Sequence, residues 1–349
     1  MTAATSDQIG WSNAAAAPAS RARDVTIDSM RGLAILMVIG IHSLPQPLTS
    51  SWAMMLDAAL RPCVPIFLFA SGMMSAGKTE IPLGRRLATA VVPYAIVFVA
   101  AYAYMALHNA NMDHRLHVAL ARFGLAYVFV YYYVFVYVGC TIALWLLLKL
   151  AKIPGGGHDS LAVWLIAAIA FGLLAGAYID PLLIKADFSP SLIEEVRMRD
   201  IPFWFAFLAL GLLIGTLRLH DTLRNHMALL LIATVVAYAI YAGVRLWQIG
   251  DAADYDSLAF YVYASLAALT LLTLRLASPA LAILGSGSYF IYLWHIFIVM
   301  ALRDNGVFDR LPPLTAFAVT FTATTLAIVI ALICIRRVVP NKMLRWVGA

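Results

Sequence analysis

Apolar segments of about twenty residues recur along the chain, separated by short links that are polar or contain Gly and Pro. A helix needs roughly 20 apolar residues to cross the hydrocarbon core of a bilayer. The segments therefore predict an all-α, polytopic membrane protein with about ten transmembrane helices. The predicted spans are 30–48, 54–76, 87–107, 127–150, 160–183, 201–217, 226–247, 257–276, 281–302 and 314–336.

The fourth and fifth spans are the most ambiguous, because the stretch "YVFVYYYVFVYV" has the composition of a β-strand as well and the link "KIPGGGHDS" between the spans is short and flexible. A helix is preferred there, since the open edge of a strand leaves backbone polar groups unpaired in lipid. We find no internal repeat, inverted or otherwise. Its absence disfavours a secondary transporter, because the two halves of such proteins usually carry matched interrupted helices.

Composition supports the same class of protein. Hydrophobic residues make up 63% of the chain and charged residues 12%, with a mean hydropathy of +0.87, a balance that excludes an ordinary soluble domain. The net charge of +6 comes from residues spread between the apolar segments, so we expect no nucleic-acid partner. The cysteines Cys63, Cys140 and Cys334 form no CxxC or Cys/His spacing, and we expect free thiols and no metal site.

The Lys and Arg residues indicate how the chain is oriented. Of the 24 Lys and Arg residues, 15 lie on the side of the predicted membrane that holds the N-terminus, and 9 lie on the other side. Cytoplasmic loops are the richer in these residues, so both termini are expected in the cytoplasm. Small and polar residues 1–22 predict a disordered cytoplasmic N-terminus, residues 23–340 form the membrane domain, and residues 341–349 form a short cytoplasmic tail.

The first predicted helix contains His42, 11 residues after Arg31, which places it about 16 Å deeper along a helix. We expect it near the bilayer midplane, where ionisable groups usually face a protein interior or a water-filled cavity and serve a function. Such a ring is expected to be neutral and able to accept a proton. The alternative is a structural histidine in an interhelical hydrogen bond.

Other polar residues lie in or beside the predicted helices. Asp28 precedes Arg31 by one turn and is placed to pair with it. Ser71 and Gly72 give the second span a small-residue face that allows close approach to the first. His295 lies in a late span, where a structural and a functional role are equally open.

Four motifs resemble, in order, those of the membrane-bound acyltransferase 3 family. The family's first-helix pattern is matched by Arg23, Asp28, Arg31, Gly32 and His42. The other three motifs are "VPIFLFASG", "GRRLATAVVPY" and "SYFIYLWH". In detail the resemblance covers about residues 23–94 and 284–296, and it is nearest to the fucose acetylase-like and exopolysaccharide acetylase branch.

The resemblance implies a ten-helix O-acyltransferase of the bacterial inner membrane. Such an enzyme moves an acyl group, expected to be acetyl, from cytosolic acetyl-CoA to a hydroxyl of an extracytoplasmic or lipid-linked glycan. Its partners are then acyl-CoA, the glycan acceptor and membrane lipid. Acyl transfer requires a base for the hydroxyl proton, and we assign that role to His42. Asp28 and Arg31 hold the cytoplasmic entrance, where Arg31 can also meet a phosphate or the thioester carbonyl.

The remaining site residues have competing interpretations. Lys78, Arg85 and Arg86 can bind the CoA phosphates, although cytoplasmic loops are basic in any case. We assign His295, Ser71 and Tyr132 to substrate contacts, while helix packing and an interfacial aromatic belt explain the same residue types.

Two other functions use the same polar groups. A transporter or flippase of a lipid-linked sugar would move its cargo without consuming CoA. A scaffold without catalytic activity would tolerate the simultaneous loss of His42 and Arg31.

Overall fold

The computed structural model describes residues 24–152, 158–249 and 256–349. The N-terminal segment 1–22, expected to be disordered, and Arg23 of the first motif lie outside the described residues. The regular elements of the described residues are helices: α1 (Val25–Ser43), α2 (Ser51–Leu60), α3 (Cys63–Met73), α4 (Leu83–His108), α5 (Leu116–Gly124), α6 (Tyr132–Leu150), α7 (His158–Lys185), α8 (Pro190–Met198), α9 (Ile201–Thr216), α10 (His220–Asn225), α11 (Met227–Leu246), α12 (Leu258–Leu274), α13 (Pro279–Ser286), α14 (Ser288–Asp304), α15 (Val307–Arg310), α16 (Pro313–Val338) and α17 (Asn341–Val347).

The helices confirm an all-α, multi-pass membrane protein. In the described parts of the chain, eight helical segments are long and apolar enough to cross a bilayer, and the pair α13 and α14 makes a ninth if taken as one span. Helix α12 is apolar but has only 17 residues. The number ten and the cytoplasmic location of both termini stay predictions.

One predicted span is sharply bent, and another is interrupted by a turn although Ser51–Met73 still qualifies as one membrane span. The span 54–76 is divided into α2 and α3 at Arg61 and Pro62, because Pro62 has no N–H to continue the hydrogen bonding of α2. The span 281–302 bends by 78° at Gly287, between α13 and α14. Polar side chains lie at both positions: Arg61 donates to Asp57, and Arg336 donates to Ser286.

Helix α1 is central to the bundle and packs on α3, α13, α14 and α16. Its contact with α13 is made by backbone. A Cβ atom on Gly32 would lie 2.0 Å from the carbonyl oxygen of Leu281, and one on Gly285 would lie 1.8 Å from that of Asp28. Only glycine allows this approach, which fixes the first half of α1 beside the start of α14.

The small-residue face of the second span has a different partner from the one we predicted. A Cβ on Gly72 would lie 2.1 Å from the carbonyl oxygen of Leu208 in α9, and one on Gly211 would lie 2.1 Å from that of Phe69. The closest approach is therefore between α3 and α9, and the predicted glycine contact with α1 is wrong. Two reciprocal glycines make the α3–α9 contact, and the sequence around Ser71 alone did not reveal the second.

Candidate active site

Arg31 and His42 lie towards opposite ends of α1. Arg31 is in the second turn and His42 in the last, because the helix ends at Ser43 rather than continuing to residue 48. Leu44 has extended backbone with ψ 145°, the conformation that a residue before a proline favours, and Pro45 follows it. His42 therefore lies in the last turn of α1, and its expected depth near the bilayer midplane stays a prediction.

A cavity of about 170 Å³ opens at the end of the bundle where α1 begins, and we call it the basic cavity. It is formed by side chains of α1, α3, α4, α6 and α14. The polar residues that line it are Arg31, Ser71, Arg86, Thr89, Tyr133, Tyr137, Ser288, Tyr289 and Tyr292. Three of the predicted site residues, Arg31, Ser71 and Arg86, thus line the same cavity although they come from three helices.

Both guanidinium groups of the basic cavity are held in place. One Nη of Arg31 lies 3.5 Å from the carboxylate of Asp28, and the other donates to Ser288 Oγ at 3.0 Å. Asp28 is buried, so the expected pair is present and shielded from solvent. Arg86 donates to Ser75 Oγ at 3.1 Å. Asp28 offsets the charge of Arg31, whereas the hydrogen-bond partner of Arg86 is a neutral hydroxyl, so the cavity keeps a net positive charge and its fixed donors are suited to bind an anionic group.

The other two predicted CoA-binding residues lie on the surface. Lys78 is in the link between α3 and α4, and Arg85 is in the first turn of α4, next to Arg86. Both side chains are exposed. The structure thus separates one arginine on the cavity wall from two cations at the surface nearby.

His42 lines a second cavity, of about 360 Å³, which we call the histidine cavity; Phe129, Val130, Arg303 and Asp304 also line it. Arg303 donates to the carbonyl oxygens of His42 and Leu44, both at 3.1 Å. The last carbonyls of a helix have no partner within it. Arg303 therefore caps α1 and fixes the backbone that carries His42.

His295 lies between the two cavities and is fully buried. The centroid of its ring is 5.4 Å from that of His42 and 6.4 Å from that of Tyr292, which lines the basic cavity. Its Nδ1 lies 3.0 Å and 2.8 Å from the carbonyl oxygens of Ile291 and Tyr292, which assigns the proton to Nδ1. Its Nε2 is then an acceptor, and it has no hydrogen-bond partner among the described residues.

Tyr132 is separated from its neighbours Tyr133 and Tyr137, which line the basic cavity. It lines a third cavity, of about 580 Å³, that we call the arginine vestibule. The residues that define it are Arg61, Arg197, Arg199, Arg245, Tyr127 and Tyr132. Phe129 lines both the arginine vestibule and the histidine cavity, so the two share a wall.

The chain matches a known protein family over most of its length. A family model described as an acyltransferase domain matches residues 24–334, a range that contains the residues of all three cavities. No curated protein and no solved structure matches the chain.

Proposed function

The chain belongs to the acyltransferase 3 family of membrane proteins, and we propose that it transfers an acyl group, expected to be acetyl, from cytosolic acyl-CoA to a hydroxyl of an extracytoplasmic or lipid-linked glycan. The family match makes it a membrane acyltransferase. The observation that carries the finer proposal is the pair of cavities towards opposite ends of α1, one with Arg31 and one with His42. We place the protein in the bacterial inner membrane, with the basic cavity facing the cytosol.

The basic cavity supports the binding of the donor. Acyl-CoA combines a charged nucleotide with a long flexible arm that carries the thioester. A volume of about 170 Å³ is below the ~300–1,000 Å³ of a typical site for a whole ligand, so only the arm enters. Arg31 and Arg86 bind the donor at the entrance of the cavity. The exposed Lys78 and Arg85 bind the phosphates of CoA outside it.

The spacing of Arg31 and His42 restricts what each can do. Eleven residues of helix separate them, about 16 Å, so the same reacting carbonyl cannot contact both side chains. Arg31 therefore binds the donor and does not stabilise the transition state beside His42. The arm of the donor spans the distance between them.

His42 performs the proton transfer. A glycan hydroxyl in the histidine cavity attacks the carbonyl carbon of the thioester while a ring nitrogen of His42 takes its proton. The tetrahedral intermediate then collapses: the C–S bond breaks, and the proton passes from His42 to the sulfur of CoA. The new C–O ester bond stays on the glycan. The Arg303 cap on α1 and the neighbouring ring of His295 hold His42 in position for both steps.

The proposal is tested with the full chain in liposomes and labelled acetyl-CoA inside them. Release of CoA thiol inside and transfer of label to an external glycan are measured together. His42→Ala should abolish both, and His226→Ala, which removes an exposed histidine after α10, should change neither. A transporter or flippase would move the glycan without releasing CoA. Full activity of His42→Ala in a folded protein would refute the role of this residue.

A further inference from the structure

We propose that the arginine vestibule is the binding site for the acceptor, and that it selects an uncharged glycan. This inference rests on the proposed function, because that function supplies the reaction of the bound sugar. The inference itself concerns only where the sugar binds. The first observation is position. Because Phe129 forms a wall of both the vestibule and the histidine cavity, a ligand in the vestibule lies directly beside the cavity that contains His42.

The size of the vestibule is suited to a small-molecule site. Its volume of about 580 Å³ lies within the ~300–1,000 Å³ that such sites occupy. Its residues come from the break after α2, the approach to α6, helix α8 and the end of α11. Several elements therefore converge on it, as is typical of a formed pocket rather than a surface groove.

The arginines of the vestibule are neutralised by carboxylates of the protein. Arg61 and Arg245 lie 2.7 Å and 2.6 Å from the same carboxylate, that of Asp57. Asp57 is almost completely buried. The two guanidinium groups are held rigidly by this shared partner, so little side-chain entropy is lost when a ligand binds them.

The other two arginines are paired in the same way. Arg197 contacts Asp180 and lies 3.7 Å from Asp256, and Arg199 contacts Glu195. With the exposed Glu194, which also lines the vestibule, these four arginines face five carboxylates. A phosphate would find no excess of positive charge there, and the like charges of the carboxylates would oppose it.

An uncharged sugar fits this wall better. Guanidinium groups only donate hydrogen bonds and carboxylates only accept them. The four arginines together with Glu194 and Glu195, the two carboxylates that line the vestibule, can therefore bind hydroxyl groups, which do either. Tyr127 is 49% exposed, and its ring lies 5.4 Å from the guanidinium carbon of Arg199. Together with Tyr132 and Phe129 it offers apolar ring surface to the C–H face of a sugar.

Binding is tested by titration calorimetry on the full chain in nanodiscs, without acyl-CoA. The probe is the cell's own surface glycan, freed of O-esters by mild alkali and cleaved to oligosaccharides. Tyr127→Ala should raise the Kd of the oligosaccharide roughly two- to tenfold. Glu194→Gln should also raise this Kd. Tyr178→Ala removes a tyrosine of α7 that is 61% exposed and should leave the Kd unchanged.

Two further binding experiments identify the ligand. Lipid extract from the same cells, treated with the same alkali, replaces the oligosaccharide, and binding of this extract with the same dependence on Tyr127 would support a lipid-linked form of the glycan. Inorganic pyrophosphate should not compete with either. Competition by pyrophosphate, absence of binding, or a Kd unchanged in both vestibule variants would overturn the inference. Glycan binding that depends on Tyr127, without CoA release in the liposome assay, would instead refute the proposed function alone.

Discussion

The hydroxyl of Tyr292 donates a hydrogen bond of 2.8 Å to the backbone carbonyl of Val130. Tyr292 lines the basic cavity and Val130 lines the histidine cavity, so this bond joins the walls of the two. His295 packs beside it, between Tyr292 and His42. A donor arm that enters beside Arg31 must displace this wall to bring its thioester to His42.

Tyr292→Phe should test whether the wall opens. The variant keeps the ring and removes the bond to Val130, so we expect unfolding to become easier by about 1 kcal/mol while the rate of acyl transfer stays the same or rises. Thermal unfolding and single-turnover transfer are measured together. Tyr131→Phe is the matched control, because that buried hydroxyl donates to the carbonyl of Leu293 at 2.9 Å. It should lose similar stability with no change in rate. A tenfold slower transfer in Tyr292→Phe alone would show that the hydroxyl takes part in the chemistry.

His42 and His295 should behave as one unit. We expect His42→Ala to lower kcat by roughly 10²–10⁴-fold, the contribution of a general base, with the KM for acetyl-CoA unchanged. Because the ring of His295 packs 5.4 Å from that of His42 and we expect it to position that ring, His295→Ala should lower kcat less, and the double variant should be no slower than His42→Ala. The kcat and the KM for acetyl-CoA are measured for the two single variants and the double variant. If the effects multiply, the two histidines act independently.

The sequence predicted the fold class well, because the length and hydropathy of each apolar segment are local properties. It also contained signals that we did not use. Leu44 followed by Pro45 marks the end of α1, and Pro62 marks the break after α2. The bend at Gly287 was harder to predict from the sequence, since a glycine in an apolar segment is equally typical of helix packing.

The candidate site was predictable only in part. Arg31, Asp28 and His42 share one helix, so their spacing could be read from the sequence. The cap that Arg303 places on α1 joins residues 261 and 259 positions apart, and no local pattern indicates it. The separation of Tyr132 from Tyr133 depends in the same way on what packs against each face of α6. Cavities are formed by several helices at once, so no local pattern shows that Arg61, Arg197 and Arg245 line one vestibule.

Arg303→Ala should weaken both the stability and the activity of the protein. It leaves the carbonyls of His42 and Leu44 without their donor, which costs roughly 1–3 kcal/mol for an unsatisfied buried group, and it releases the last turn of α1. We expect a lower midpoint of thermal unfolding and a lower kcat, with the KM for acetyl-CoA unchanged. Arg310→Ala, at an exposed position in α15, is the control. A variant with normal kcat would mean that the cap does not position His42.

The neighbours Arg85 and Arg86 offer a direct test of the basic cavity. Arg86 lines the cavity and is held by Ser75, whereas Arg85 is exposed. Arg86→Ala should therefore raise the KM for acetyl-CoA at every salt concentration. Arg85→Ala should raise it at low ionic strength and have little effect near 1 M salt, because the Debye length falls to about 3 Å there and exposed charges are screened. The KM of each variant is measured at both salt concentrations, with kcat as the internal control. If the two variants respond to salt in the same way, both arginines act as surface charges and the cavity does not bind the donor.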